Sequence, residues 1–202
     1  MSGPLTGIRV VDLSTMLMAP YATQILGDMG ADVIKVEAPA GDPVRGIGPL
    51  RNPGMGPIFL NVNRSKRSLV LDLKKSQGME VLNGLLKNAD VFVYNVRPQA
   101  MDRLGLTFER LTALNPRLIT LGLFGYGQDG PYAKKPAFDD LIQGAVAIPW
   151  LAHQATGQEP AYTPRPSSIA AWLCGPWVRS MRPWCINSRP GKASTSKCPC
   201  LK

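Results

Sequence analysis

No aspartate or glutamate occurs after Glu159, although seven of the 23 lysines and arginines do. The formal net charge is +9, whereas residues 1–159 hold 16 cations against 14 carboxylates. The excess positive charge is therefore concentrated in the last part of the chain. Nucleic-acid binding is typical of chains whose basic residues form a continuous stripe, and this chain has none. We expect no nucleic-acid partner.

Long hydrophobic runs are also missing. No apolar run approaches the roughly 20 residues that a membrane-spanning helix needs. The first residues show no basic stretch followed by an apolar one, which is the pattern of a secretory signal. With 202 residues, 45% of them hydrophobic, the chain can form one domain with a buried core. We expect a cytoplasmic protein with no membrane partner.

Histidine and cysteine, which supply many catalytic bases and metal ligands, are scarce. The single histidine, His153, falls in a segment without predicted structure, where a histidine is usually solvated. All four cysteines lie beyond Pro166, and the pair Cys198 and Cys200 has no second pair of ligands to complete a metal site. We predict neither a catalytic histidine nor a bound metal.

Glycine is absent from residues 14–20, the turn between the first predicted strand and the first helix. Proteins that bind nicotinamide or flavin dinucleotides need glycines there, because the backbone must approach the pyrophosphate closely. Glu37, at the end of the second predicted strand, stands where such proteins have a ribose-binding acid, but one acid alone is weak evidence. The sequence therefore disfavours a dinucleotide-dependent oxidoreductase.

Strand and helix patterns alternate through most of the chain. Short runs rich in valine and isoleucine over residues 8–13 and 31–36 predict buried strands, and the apolar residues between them recur at helical spacing. A strand, a helix and a strand within 40 residues indicate a parallel sheet. The remaining predicted elements continue this alternation: strands over 68–73, 90–94 and 118–124, and helices over 78–86, 106–114 and 138–148. We predict an α/β fold, a Rossmann-like parallel sheet with flanking helices.

The pattern ends near Pro166. Proline or glycine then interrupts the chain repeatedly, and no apolar period lasts ten residues. We therefore predict two regions: residues 1–166 as one α/β unit, and residues 167–202 as an irregular, poorly ordered tail.

Two groups of cations accompany the predicted strands. Arg64, Lys66, Arg67 and Lys74 surround the third strand, either as a solvated edge or as a cradle for the phosphates of an anionic cofactor. The segment 94–106 begins at the carboxyl end of the fourth strand, the usual ligand side of such sheets. Its amide and arginines predict either an adenine or phosphate site or a capped helix start with surface arginines.

Residues 30–45 read Gly-Ala-Asp-Val-Ile-Lys-Val-Glu-Ala-Pro-Ala-Gly-Asp-Pro-Val-Arg, a strand followed by a charged loop. This block and four others, over residues 7–14, 63–74, 89–105 and 115–143, resemble the class III CoA-transferases in order and spacing. The resemblance implies a Rossmann-like large domain, a smaller second domain, and two chains interlaced as a homodimer. It also implies CoA transfer between an acyl-CoA and a carboxylic acid through an aspartyl-CoA thioester. CoA would then be a substrate, and no cofactor would be bound permanently.

The same resemblance assigns a set of CoA contacts. Asn95, Val96, Arg97 and Arg103 would lie along CoA, with Leu71 and Lys74 near its adenosine end. Two departures from the family's sequence pattern limit the branch of the family to which the resemblance points. Phe138 stands where racemases of the family have a histidine, and Leu17 stands where formyl-CoA transferases have a glutamine.

A third departure concerns the reaction itself. The family's nucleophilic aspartate follows the segment that resembles residues 161–166, and here no carboxylate follows. Asp139 and Asp140 belong to an earlier motif and are not that nucleophile. By the same resemblance, residues 1–166 would be the N-terminal part of the large domain, and the second domain would be missing. We therefore assign no catalytic residue and expect this chain to be inactive, and the sequence does not predict whether it forms the interlaced dimer. The alternative is a non-catalytic fragment that binds CoA or a nucleotide.

A shift of reading frame would explain the tail. If residues 166–169 are encoded CCG-TCA-TCG-ATC, reading from the last base of the proline codon gives Val-Ile-Asp. With permitted codons the same frame continues to residue 202, as an amphipathic helix, a Thr-Gly-x-Gly turn and a strand that ends Ile-Asp-Ile-Glu-Val-Pro-Met-Phe-Glu. We predict that the tail is out of frame.

Overall fold

The computed structural model describes residues 3–163 and, as backbone alone, residues 194–199. Its strands are β1 (Arg9–Leu13), β2 (Asp32–Glu37), β3 (Lys66–Val70), β4 (Val91–Tyr94), β5 (Ile119–Phe124) and β6 (Ser194–Pro199). Its α-helices are α1 (Met18–Asp28), α2 (Pro57–Val62), α3 (Ser76–Lys87), α4 (Pro98–Arg103), α5 (Phe108–Leu114), α6 (Asp139–Ala145) and α7 (Ile148–Thr156). A short 3-10 helix covers Pro43–Gly46.

The strands form one parallel sheet in the order β3-β2-β1-β4-β5-β6. From β1 the chain adds β2 and β3 on one side, then returns and adds β4, β5 and β6 on the other. The carboxyl ends of β1 and β4 therefore mark a switch point, where connections leave in opposite directions and the sheet opens a crevice.

Each face of the sheet is covered by helices, because alternate residues of a strand point to opposite faces. On β1, Val10 packs in the cluster that includes α1, whereas Val11 packs in the cluster that includes α3 and α5. Both valines are fully buried, as are Leu82 and Leu86 of α3. This two-sided burial explains why the strands read as continuous apolar runs rather than as alternating ones.

The predicted α/β fold is confirmed, and four predicted strands agree with the observed ones to within a residue. The third strand lies earlier than predicted: it begins at Lys66 and ends at Val70. The short helices α2 and α4 were not predicted, because six residues are too few to display a helical period. The helix predicted over 138–148 is two helices, divided where Ala147 adopts a φ of +60°.

The backbone at Ser194–Pro199 differs from the irregular tail predicted beyond Pro166. It forms β6, which pairs in parallel with β5 from Ile119 to Phe124. The ladder hydrogen bonds require only main-chain groups, so β5 accepts a strand whose side chains show no apolar pattern. Residues 164–193 and 200–202 lie outside the described residues, and with them most of the tail prediction.

The described residues contain neither a membrane-spanning helix nor a metal-binding cluster. None of their helices is both long enough and apolar enough to cross a membrane. Nor do their histidine, cysteine and acidic side chains form a group of three that could hold a metal ion.

Candidate active site: a cleft at the switch point of the sheet

A cleft of about 770 Å³ opens at the carboxyl edge of the sheet, beside the ends of β1, β4 and β5. Its walls come from the loops that follow these strands, from the segment around the 3-10 helix, and from α6. Apolar side chains predominate, among them Leu17, Val44 and Ile58, while Arg97 and Lys135 supply cations. The position agrees with the general rule that open α/β sheets bind ligands at their switch point.

Asn95, the first residue after β4, ties the two sides of the switch point together. Its Nδ2 donates to the carbonyl oxygen of Thr15 at 2.8 Å, and its Oδ1 accepts from the backbone N–H of Thr15 at 3.0 Å. Both the nitrogen and the oxygen of the side-chain amide thus bond to the loop after β1. Asn95 lines the cleft, and its amide organises the loop rather than pointing freely at a ligand.

Asp42, in the loop after β2, holds Met16, the residue that follows Thr15 in the turn after β1. Its Oδ1 accepts from the backbone N–H of Met16 at 3.1 Å and from that of Val44 at 3.2 Å. Its Oδ2 lies 2.9 Å from the ammonium of Lys35, which also donates to the carbonyl oxygen of Ser14 at 2.8 Å. The N–H groups of Thr15 and Met16 are therefore occupied at the place where dinucleotide-binding folds offer such groups to a pyrophosphate.

Glu37 ends β2 and anchors the following loop instead of facing a ribose. Both of its oxygens accept from the guanidinium of Arg45, at 2.7 Å each, and Ser68 donates to it at 2.7 Å. Burial by itself raises the pKa of Glu37, but the hydrogen bonds from Arg45, Ser68 and the N–H of Asp42 outweigh it and lower that pKa to about 2. Arg45 also stacks over the ring of Phe59, 3.7 Å from its centre.

Three of the four cations around β3 are paired with carboxylates. Arg64 binds Asp28 and Arg67 binds Asp32, both at the surface. Lys66 is buried, with its ammonium 2.9 Å from Asp12. Burial lowers the pKa of Lys66 to about 8, against the opposing effect of Asp12. These pairs favour the structural interpretation over a phosphate cradle for Arg64, Lys66 and Arg67.

The remaining CoA contacts expected from the resemblance are dispersed along the carboxyl edge. Arg97 lines the cleft with Asn95. Val96 packs against the buried cluster under α3. Leu71 and Lys74 follow β3, and Arg103 is the last residue of α4. These last four do not line the cleft.

Lys135, in the wall of the cleft, and Asp42, behind that wall, were not singled out from the sequence. Lys135 lies over the ring of Tyr132 at 4.0 Å and lines the cleft beside Phe138 and Asp139. Asp42 was part of the quoted block of residues 30–45, but its role could not be inferred because its partner Met16 lies 26 positions earlier, in another loop. The only signal was its place in a turn after a strand.

No histidine faces the cleft among the described residues. His153 lies on α7, and its Nδ1 is 2.6 Å from the carbonyl oxygen of Gln158. Phe138 lines the cleft at the start of α6, where it cannot accept or donate a proton. Asp139 also lines it, and its Oδ2 accepts from Gln143 at 2.6 Å.

Sequence comparison identifies the family to which this fold and cleft belong. The family model described as CoA-transferase family III matches residues 5–175. The chain belongs to CoA-transferase family III. This match covers most of the chain, including β1 to β5 and all seven α-helices, and it ends before β6.

Relatives and solved structures agree with the family. The chain is 45% identical over 166 residues to an acyl-CoA transferase of Fusarium pseudograminearum, covering 78% of this chain and 36% of that protein. It is 38% identical over 173 residues to the succinyl-CoA–L-malate CoA-transferase beta subunit of Chloroflexus aurantiacus, covering 85% and 42%. A CaiB/BaiF family protein from Brucella suis superposes with a TM-score of 0.82 and 33% identity, covering 96% of this chain and 52% of that one. The chain thus spans about two fifths of these curated relatives and about half of the solved structure.

Proposed function

We propose that this chain is the CoA-binding part of a CoA-transferase, and that acyl-CoA binds along the carboxyl edge of the sheet and in the cleft. The observation that carries the proposal is the position of the cleft at the switch point, with Arg97 beside the end of β4. Unlike Arg64 and Arg67, Arg97 has no carboxylate partner among the described residues, so its guanidinium is available for a phosphate. The apolar walls suit the uncharged arm of CoA.

The dispersed residues fit the same ligand. Neighbouring strands lie ~4.8 Å apart, so the ends of β3 and β1 are about 10 Å apart at the same edge. An extended molecule such as CoA can bridge that distance. We therefore propose that Leu71 and Lys74 lie near the adenosine end, that Val96 and Arg103 lie along the molecule with Arg97, and that the backbone of Asn95 rather than its paired amide faces the ligand.

The reaction proposed for intact relatives is CoA transfer between an acyl-CoA and a carboxylic acid. An aspartate carboxylate takes CoA as a thioester and releases the first acid, and the second acid then takes CoA from the aspartate. Each step breaks one CoA thioester bond and forms another. Racemisation is the weaker alternative, because it needs a group that exchanges a proton, and Phe138 stands at the relevant wall of the cleft.

We propose further that this chain does not complete that reaction, because no carboxylate follows Glu159. The proposed shift of reading frame receives support from the position of β6. In the alternative frame the residues Ile-Asp-Ile-Glu-Val-Pro fall on positions 194–199, which are the residues of β6. The alternating apolar pattern of that peptide is typical of a strand, whereas the present sequence there has none. Sequencing the gene across the codon for Pro166 tests this directly.

Calorimetry with CoA tests the binding proposal. The purified chain should bind CoA in a saturable manner, and Arg97→Ala should weaken binding about tenfold to a hundredfold, since a charge-assisted hydrogen bond contributes about 1.5–3 kcal/mol. Arg117→Ala is the matched control, because Arg117 lies two positions before β5, at the opposite edge of the sheet. Equal effects of the two substitutions would place CoA elsewhere.

Turnover tests the proposed inactivity. With succinyl-CoA as donor and a series of carboxylic acids as acceptors, the 202-residue chain should form no new acyl-CoA. Turnover above that of a blank would contradict the assignment of no nucleophile.

A further inference from the structure

Met16 has a backbone conformation that is unusual for its residue type. Its φ is +69°, in the left-handed region, which costs a residue with a side chain about 1 kcal/mol or more. It stands in the glycine-free turn after β1, and it lines the cleft. Such a conformation persists only where the surroundings impose it, so the restraints on Met16 are informative.

The restraint comes from a buried side chain of another loop. Asp42 is 2% exposed, and its Oδ1 accepts from the N–H of Met16 at 3.1 Å. The same oxygen accepts from the N–H of Val44, a second residue of the cleft wall, at 3.2 Å. One carboxylate oxygen therefore fixes two wall segments that are 28 positions apart in the sequence.

Asp42 itself is held at two points, its carboxylate and its backbone N–H. The Lys35 ammonium lies 2.9 Å from Oδ2, with both side chains almost entirely buried. The N–H of Asp42 donates to Glu37 at 3.1 Å, which connects it to the anchor formed with Arg45. A buried charge pair is a costly way to gain stability, and such pairs are better suited to fixing one geometry.

We infer that Asp42 is a positioning residue of the CoA site, which holds Met16 and Val44 in the wall that the ligand contacts. This inference rests on the proposed function. Asp42 does not touch the ligand; it acts through the backbone of Met16. A role of this kind predicts that the effect of removing the Oδ1 acceptor depends on the residue at position 16.

A double-mutant cycle in a charge-neutral background isolates that effect. Lys35→Met with Asp42→Asn removes the charge pair but keeps an oxygen acceptor for Met16. Lys35→Met with Asp42→Leu removes the acceptor as well, with a side chain that branches at the same carbon. Each pair is made with Met16 and with Met16→Gly, because glycine adopts a positive φ without a restraint.

Affinity for CoA is measured by calorimetry, below the melting temperature that circular dichroism gives for each variant. With Met16 present, the Asp42→Leu pair should bind about tenfold more weakly than the Asp42→Asn pair. In the Met16→Gly background that difference should fall below threefold. Because every variant is folded at the temperature of the measurement, a difference in stability alone would not change its affinity.

The outcomes separate the two proposals. Equal affinities of the folded Asp42→Asn and Asp42→Leu pairs, or a difference unchanged by Met16→Gly, would overturn the positioning role and leave CoA binding intact. Absence of CoA binding by the unsubstituted chain would overturn the proposed function and this inference together.

Discussion

At the scale of single residues, the carboxyl edge is organised by buried acids whose partners lie on other elements. Glu37 and Asp42 accept hydrogen bonds that fix the loops after β1 and β2. Asp12 accepts hydrogen bonds from Thr23 of α1 and Lys66 of β3. The sequence predicted that this edge faces a ligand. It could not predict these roles, because each depends on residues brought together only by the parallel sheet.

Glu37 gives a pH-dependent prediction. Its pKa is about 2 in the folded chain and near 4.5 when unperturbed, so between these values the unfolded state binds more protons. The stability that it contributes is complete above pH 4.5 and is lost as the pH falls toward 2. A pKa shift of this size corresponds to about 3 kcal/mol in the free energy of unfolding.

Urea unfolding at pH 7 and pH 3 measures this contribution. Glu37→Gln should remove a part of the free-energy difference between the two pH values. Glu80→Gln, a substitution on the exposed face of α3, should leave it unchanged. The same pH difference in the Glu37→Gln and unsubstituted chains would show that Glu37 is not the group responsible.

At the scale of elements, apolar periodicity was sufficient for the long helices and the buried strands. It failed for α2 and α4, whose starts are set by Pro57 and Pro98 at the first helical turn rather than by a period. It also failed at Lys66, which begins β3 with a buried ammonium. A charged residue at a strand end indicates a solvated edge unless its partner, here Asp12, is known.

The start of α3 gives a prediction with an internal control. A Cβ at Gly78 would stand 2.2 Å from the carbonyl oxygen of Asp72, so Gly78→Ala must displace the turn between β3 and α3. We expect this substitution to lower the free energy of unfolding by about 1–3 kcal/mol. Gly84, in the same helix, has open space at that position, and Gly84→Ala should stabilise by about 0.5–1 kcal/mol.

Thermal or urea unfolding of the two variants separates packing from helix propensity. Stabilisation by both substitutions would mean that the turn at Asp72 yields to a methyl group at little cost.

At the scale of the whole molecule, the sheet ends on one side at β3 and on the other at β6. β3 is shielded by charged residues, among them Arg67, which is paired with Asp32. β5 is a buried strand whose outer ladder is satisfied by β6. Without β6, the outer backbone groups of β5 would be unpaired, and a strand edge of that kind pairs readily with other chains.

We therefore predict that deleting residues 194–202 promotes self-association. Light scattering at increasing protein concentration should show larger particles than for the full chain. Deletion of residues 200–202 alone, which leaves β6 in place, is the control. Identical scattering by the two deletions would mean that β6 does not protect β5.

The paired turn at residues 15 and 16 has a consequence for amide hydrogen exchange. Loop amides normally exchange their protons with water quickly, yet the N–H of Thr15 and of Met16 are bonded to Asn95 and Asp42. Exchange at these two positions requires the loops after β1, β2 and β4 to separate. Two slowly exchanging amides in an exposed loop would therefore serve as a ligand-free spectroscopic marker of an assembled switch point.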